Sequence, residues 1–326
     1  MNKLEKFLKE NTKDGGLLQS GFWRIVQEKN GRETTVFQGE GFRALFIKHR
    51  LPIAGSYLFC PRGPAVNSGR RKEAWKELIK KIDDYVVNNK ISWIRAEPQN
   101  MEDIEELKKL AGRKISKAPK NHEPEETLII DLKKPQGELL SQMKSKTRYN
   151  IRLSRRKRVA VKRKTAESGF EDFWKLFLET ARRDKINLHP KEHYKNLLSS
   201  KLEDRIFLYL AYWQNVPIGG IIVGIYGGTA VYLHGASSYP HRQLMGNYAL
   251  QWHAMKKAKQ AGADRYDLGG AALKKNKKSW QGITHFKKGF CPDCQSVEFP
   301  GCYDIIIDQK KYYLYKILRK ARSIIR

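Results

Sequence analysis

The chain has 326 residues, with 64 Lys plus Arg against 34 Asp plus Glu, a formal net charge of +30 at pH 7. Hydrophobic residues at 40% and aromatics at 11% exclude a disordered basic tail protein, and at roughly 150 residues per domain the length predicts about two domains. No apolar run approaches the ~20 residues that span a bilayer, residues 1–13 are polar and charged rather than signal-like, and four cysteines are too few for a disulfide scaffold, which points to a soluble, cytoplasmic protein.

In chain order, residues 34–60 read as extended, with Gly and Pro punctuation. A helical pattern covers 70–87, a short apolar strand 91–96, a helix 101–111 and a strand 127–132. Beyond the middle, 170–184 and 189–198 read as helices, and 206–213, 217–225 and 230–236 as strands. The last two strands are joined by Gly227-Gly228, a strong hairpin signal. A helix over 246–261, a strand over 265–268 and two strands within 297–307 follow. The C-terminal segment places Leu314, Ile317, Leu318, Ala321 and Ile325 at helical spacing opposite Lys and Arg. Each half thus predicts helices packed on a mixed sheet, with the basic stretch 133–164 between the halves.

The charge is concentrated. Residues 133–164 carry 13 basic residues and one acid, 272–288 six Lys and no acid, and 309–326 seven basic residues and no acid. Three such stretches imply a polyanionic partner: nucleic acid, a nucleotide-linked substrate or an anionic membrane face.

Chemistry-bearing motifs are sparse. Cys291 and Cys294, with Cys302 and His285, have the residue types of a zinc site but only one CxxC pair, so buried thiols are expected and no metal. Gln243 to Tyr248 opens a helix where N-acetyltransferases bind the coenzyme A pyrophosphate with backbone N–H groups. Here Tyr248 stands where that loop needs a small residue, and a plain helix start is expected. Glu97 ends a strand within Arg95-Ala96-Glu97-Pro98 and fits either a functional or a structural carboxylate.

Seven segments fall in one order: Leu17-Leu18-Gln19-Ser20 with Trp23; Cys60-Pro61-Arg62-Gly63-Pro64; Arg95 to Pro98; Met143 to Arg152; Arg183-Asp184 with His193-Tyr194; Tyr266-Asp267-Leu268-Gly269-Gly270; and Phe286-Lys287-Lys288-Gly289-Phe290. Together they resemble the Fem (FemABX) family of aminoacyl-tRNA-dependent peptidyltransferases, which build the side-chain bridge of bacterial peptidoglycan. The resemblance implies an α/β (α+β) fold of two tandem N-acetyltransferase-like (GNAT) domains, expected here at 1–145 and 146–326. It also implies transfer from aminoacyl-tRNA to UDP-MurNAc-pentapeptide or lipid II, without cofactor. The long helical hairpin of some members has no counterpart here, as in the short members that use the soluble precursor. Lys287 matches the family Lys near the reacting ester, Phe286 is placed to stack on the terminal adenine, and Glu97 to position the acceptor amine. Arg183 and Tyr194 are candidates for the acceptor's phosphate and sugar, or helix-surface residues. Lys29 lies near the family's phosphate-binding Lys. Lys274, Lys275, Lys277 and Lys278 read as tRNA backbone contacts or a loop. The C-terminal helix reads as a peripheral contact to the inner membrane face or as packing on the second domain, and a monomer is expected. Two rivals stay open: an acyl-coenzyme A N-acyltransferase, and a non-catalytic RNA- or membrane-binding protein on this fold.

Overall fold

The computed structural model describes residues 1–199, 204–273, 280–294 and 296–324. They form two units, one of residues 1–125 with 298–326, the other of residues 126–297.

The first unit begins with α1 (Lys3–Asn11) and α2 (Gly21–Lys29), whose N-caps Asn2 and Ser20 accept from the backbone N–H of Glu5 and Trp23. An antiparallel meander follows: β1 (Thr34–Gly39), β2 (Phe42–Leu51) and β3 (Gly55–Cys60), with β4 (Ala65–Val66) pairing to β2. Helix α3 (Arg71–Asn89) then crosses over so that β5 (Ile91–Ala96) lies parallel to β3. After α4 (Met101–Leu110) and β6 (Ile115–Lys117) the chain enters the second unit.

There β7 (Glu126–Asp131), α5 (Gln136–Ser141), α6 (Ser145–Arg156), β8 (Ala160–Lys164), α7 (Ala166–Asp184) and α8 (Lys191–Leu197) precede a second meander, β9 (Ile206–Trp213), β10 (Val216–Tyr226) and β11 (Thr229–Ser237). Gly227 and Gly228 both have positive φ between the paired Tyr226 and Thr229, the type I′ geometry that such a two-residue loop needs. Helix α9 (Gly246–Gln260) crosses over to β12 (Arg265–Gly270), parallel to β11, and α10 (Gln281–Phe290) and β13 (Ser296–Glu298) complete the unit. Then β14 (Tyr303–Ile306) and α11 (Gln309–Ile324) return to the first unit.

The two sheets run β1-β2-β3-β5-β14-β6 and β13-β7-β12-β11-β10-β9-β8. Each combines an antiparallel meander with one parallel pair bridged by a helix, so the halves share an architecture that no sequence repeat betrays. Cores follow from strand alternation. In the first unit Phe42, Ala44, Phe46, Leu58 and Ile94 pack with Trp75, Leu78 and Ile82 of α3, while Ile47, Tyr57, Phe59 and Trp93 pack on the other face with Tyr312 of α11. In the second, Ile221, Val223, Tyr266 and Leu268 pack with Leu250, Ala254 and Ala258 of α9.

Three expectations change. The domain division lies at 125/126 rather than 145/146, and residues 298–326 belong to the first unit, because β14 pairs with β5 and β6. The basic stretch 133–164 is no simple link: it forms α5, α6 and β8, with Thr147, Asn150 and Ser154 buried along α6. Helix α11 docks through Tyr312 and Tyr315, which meet Trp93 at 5.5 and 4.7 Å, and not through its aliphatic stripe: Ile317 and Leu318 stay exposed. Lys274, Lys275, Lys277, Lys278 and Ile325 lie outside the described residues. No helix among those described is long and apolar enough to cross a membrane.

Candidate functional site

In the second unit α10 turns Thr284, Lys287 and Phe290 inward, at a spacing of three residues that keeps them on one helical face. Lys287 is 6% exposed, and its Nζ donates to Gly270 O at 2.7 Å, at the end of β12. The Tyr232 ring centroid lies 5.4 Å from that nitrogen. Asp267 supplies the nearby negative charge; its carboxylate accepts from Gly269 N at 2.7 Å and from Thr127 Oγ1. Burial lowers the Lys287 pKa to about 8, outweighing the opposite pull of Asp267. The following segment is pinned: Leu273 N donates to Glu126 Oε2 at 2.6 Å, and Ala272 N to Thr284 Oγ1 at 3.1 Å. Tyr266, fully buried, donates to Gln251 Oε1 at 2.8 Å. The Tyr266–Gly270 motif therefore shapes the turn against which Lys287 rests. The result is a buried ammonium that, among the described residues, spends one of its three donors on a carbonyl, a group suited to stabilising a developing oxyanion.

Phe286, next to Lys287, is half-buried and meets Tyr248 and Phe290 edge-on at 5.0 and 5.2 Å. Tyr248 thus fills an aromatic cluster at the start of α9. A Cβ on Gly246 would lie 3.1 Å from Ile218 Cδ1, so this glycine serves the packing of α9 on β10. Where a coenzyme A pyrophosphate loop needs a small residue, this helix start carries a packed ring.

Arg183 and Tyr194 both have partners within the second unit. Arg183 is chelated by its neighbour Asp184, two bonds of 2.8 Å, and donates to Ser237 O at 3.2 Å; the Asp184 hydrogen bonds hold its pKa up. Tyr194, 2% exposed, is a core residue whose hydroxyl accepts from His189 N at 3.1 Å and whose ring meets Trp174, Phe177 and His234.

Glu97 and Lys29 belong to the first unit. Lys29 is exposed in the last turn of α2. Glu97 is 2% exposed, and its two oxygens accept from the N–H groups of Arg62, His122 and Glu123 at 3.0–3.2 Å and from the Cys302 thiol at 2.9 Å. Burial first, and then the Glu97 charge, push that thiol above its usual range. Two other motifs meet the same hub. Gln19 Nε2 donates to Pro61 O at 2.5 Å while its Oε1 accepts from Leu45 N at 2.8 Å, and Gln99 holds Arg62 O. Beside it Arg95 makes a bidentate pair with Asp304, both bonds 2.8 Å; burial alone would lower the arginine pKa, and Asp304 more than reverses this. The segments around Gln19, Arg62 and Glu97, far apart in sequence, thus form one structural lock.

Cys291 and Cys294, expected as thiols, are joined in a disulfide, and Cys302 is engaged by Glu97. No group of three metal-binding side chains occurs among the described residues. Sequence reasoning missed Asp267 and Tyr232 as neighbours of Lys287: the first had its motif as a signal, the second none.

The FemAB family model matches residues 108–215 and 211–320. A lipid II:glycine glycyltransferase of Staphylococcus aureus (strain MRSA252) is 23% identical over 393 aligned positions, covering 95% of this chain and 92% of the relative; a second Staphylococcus aureus enzyme of that name is 23% identical over 384, covering 92% and 90%. Both alignments are longer than this chain, so the relatives carry residues it lacks. Among solved structures, the crystal structure of FemX superposes with a TM-score of 0.80 at 20% identity, covering 96% of this chain and 98% of that one. L-PGS from Bacillus licheniformis gives 0.57 at 14%, covering 94% and 91%. These structures establish the fold, two mixed sheets flanked by helices.

Proposed function

The chain belongs to the FemAB family, and from that membership we propose that it moves an amino acid from aminoacyl-tRNA to the stem-peptide amine of a peptidoglycan precursor, UDP-MurNAc-pentapeptide or lipid II. It is an acyltransferase of peptidoglycan bridge formation. The observation that carries this reading is the match over 95% of the chain to a lipid II glycyltransferase. The buried Lys287 supplies the chemistry.

In the proposed reaction the neutral acceptor amine attacks the ester carbonyl of the donor. A C–N bond forms, the C–O bond to the terminal ribose breaks, and the amine proton leaves on the departing ribose oxygen. An ester is already activated, so alignment and oxyanion stabilisation are the main demands on the protein. We assign the second demand to the Lys287 ammonium, held at the end of β12 by Gly270 O and Asp267. Glu97 is a positioning residue, because its carboxylate is engaged by backbone N–H groups on two segments. Phe286 braces α10 against Tyr248. Helix α11 exposes Tyr313 by 67%, Ile317 by 47% and Leu318 by 36% among exposed Lys side chains, a composition suited to an anionic membrane face and hence to a lipid-linked acceptor.

The test is a mass-shift assay with purified protein, charged tRNAs and UDP-MurNAc-pentapeptide, and in parallel lipid II, with uncharged tRNA as control. A one-residue mass gain that requires charged tRNA is the expected result, and the arm in which it occurs names the acceptor. Absence of the gain with both acceptors would overturn the reading.

A further inference from the structure

Helix α6 presents an outward face made of cations. Lys146, Arg152, Arg155 and Arg156 are exposed on it, and the row continues through Lys157 and Arg158 toward β8. Between α6, β8 and α9 lies a cleft of about 570 Å³, within the size range of ligand sites. Arg152, Arg155 and Lys256 stand at its lining, Trp252 and Val161 make apolar wall, and no acidic residue lines it. Among the described residues no carboxylate pairs with Arg152, Arg155 or Lys256. Like charges gathered without counter-charge repel one another, and a polyanion relieves that cost.

Two polyanions could do so, and the side chains choose between them. A membrane-binding face needs apolar groups to insert, and no large aliphatic side chain is exposed on α6. Its one exposed ring is Tyr149, 48% exposed, with the Arg156 guanidinium 5.5 Å from the ring centre. A row of cations with an exposed ring and a guanidinium over it is nucleic-acid-binding chemistry. The row also has a direction. The Lys144 N–H at the start of α6 donates to Gly289 O at 2.9 Å, on α10, the helix that carries Lys287. A backbone tracking α6 is led toward the Lys287 helix.

We propose that α6, its continuation into β8 and the cleft against α9 form the seat for the sugar-phosphate backbone of the tRNA donor. This rests on the transferase reading and assigns the surface that holds its donor. The test compares the full-length protein with the triple variant Arg152→Gln/Arg155→Gln/Lys256→Gln, using labelled uncharged tRNA in an anisotropy titration across salt concentrations. The variant is expected to bind at least about tenfold more weakly, with the slope of log affinity against log salt reduced by about 2–3. In the transfer assay its KM for aminoacyl-tRNA rises while kcat and the KM for acceptor hold. Lysine at the two arginine positions, with Lys256 kept, restores both. An unchanged affinity and slope in a folded variant would overturn the proposal. So would a loss confined to phosphatidylglycerol-containing vesicles, which would make the surface a membrane site. Wild-type protein that binds tRNA through these residues yet transfers nothing would leave the RNA seat standing and sink the transferase reading alone.

Discussion

At Lys287 the proposed effect on rate and an effect on stability fall on one buried cation. Its folded pKa of about 8 lies below the ordinary 10.5, so the protonated form carries a burial cost. That cost is fully present below pH 8 and disappears as pH rises from 8 through 10.5, where the unfolded chain binds the extra proton. Urea unfolding of the wild type relative to Lys287→Met should therefore show relative stability rising across that window, by up to about 3 kcal/mol. The same substitution removes the charge assigned to the oxyanion, and kcat/KM for transfer should fall about 100-fold or more. The ratio of wild-type to variant activity should decline above pH 8 as Lys287 loses its proton. A constant ratio would remove the ammonium from the mechanism. Glu97 gives the contrasting case. Glu97→Gln turns an amide N–H₂ toward backbone donors and should cost about 2–3 kcal/mol in urea unfolding. A destabilisation below ~0.5 kcal/mol would mean the lock is not what holds these segments. The motif residues themselves were readable in the chain; that Glu97 is engaged by His122, Glu123 and Cys302 was not, since those partners lie 25 to 205 positions away.

At the scale of elements, α11 and α9 make separable claims. The spacing of apolar residues in α11 was legible, yet the face that docks is aromatic, because Tyr312 donates to the buried Asp304 at 2.8 Å and the Tyr315 ring packs at a tilt on Trp93. The aliphatic residues left outside lead to a prediction. Ile317→Glu/Leu318→Glu should abolish sedimentation with anionic vesicles while leaving Tm within about two degrees, since surface substitutions away from packed features cost little. Vesicle binding equal to wild type would reject membrane contact by this helix. At α9 the aromatic cluster of Tyr248, Phe286 and Phe290 occupies the helix start, so acetyl-coenzyme A should give no thermal shift at saturating concentration. Protection by it would revive the acyl-coenzyme A reading, which the sequence left open because one tyrosine does not reveal what its ring touches.

The molecule as a whole is divided where no composition shift marks it. A fragment of residues 126–297 contains strands β7 to β12 of its sheet and the α9 core, and should unfold cooperatively. A fragment of residues 1–145 lacks β14 and leaves Arg95 buried without Asp304; losing one partner of such a pair costs about 3–5 kcal/mol, enough to prevent a cooperative transition in so small a unit. Cooperative unfolding of 1–145 would show that β14 is dispensable. The sequence by itself determined the class of the elements, the two-part α/β plan, the Gly227-Gly228 turn, the excess positive charge and the family, since each follows from local periodicity, composition or short ordered motifs. Only the tertiary structure decided that the last strand returns to the first sheet, that Lys287 rests on the Gly270 carbonyl, that Tyr194 is core and Arg183 already paired, and that the basic stretch 133–164 forms two helices and a strand, of which α6 and β8 flank a cleft. Those outcomes depend on pairings between residues distant along the chain, and a burial or a hydrogen bond made across such distances leaves no periodicity for the sequence to display.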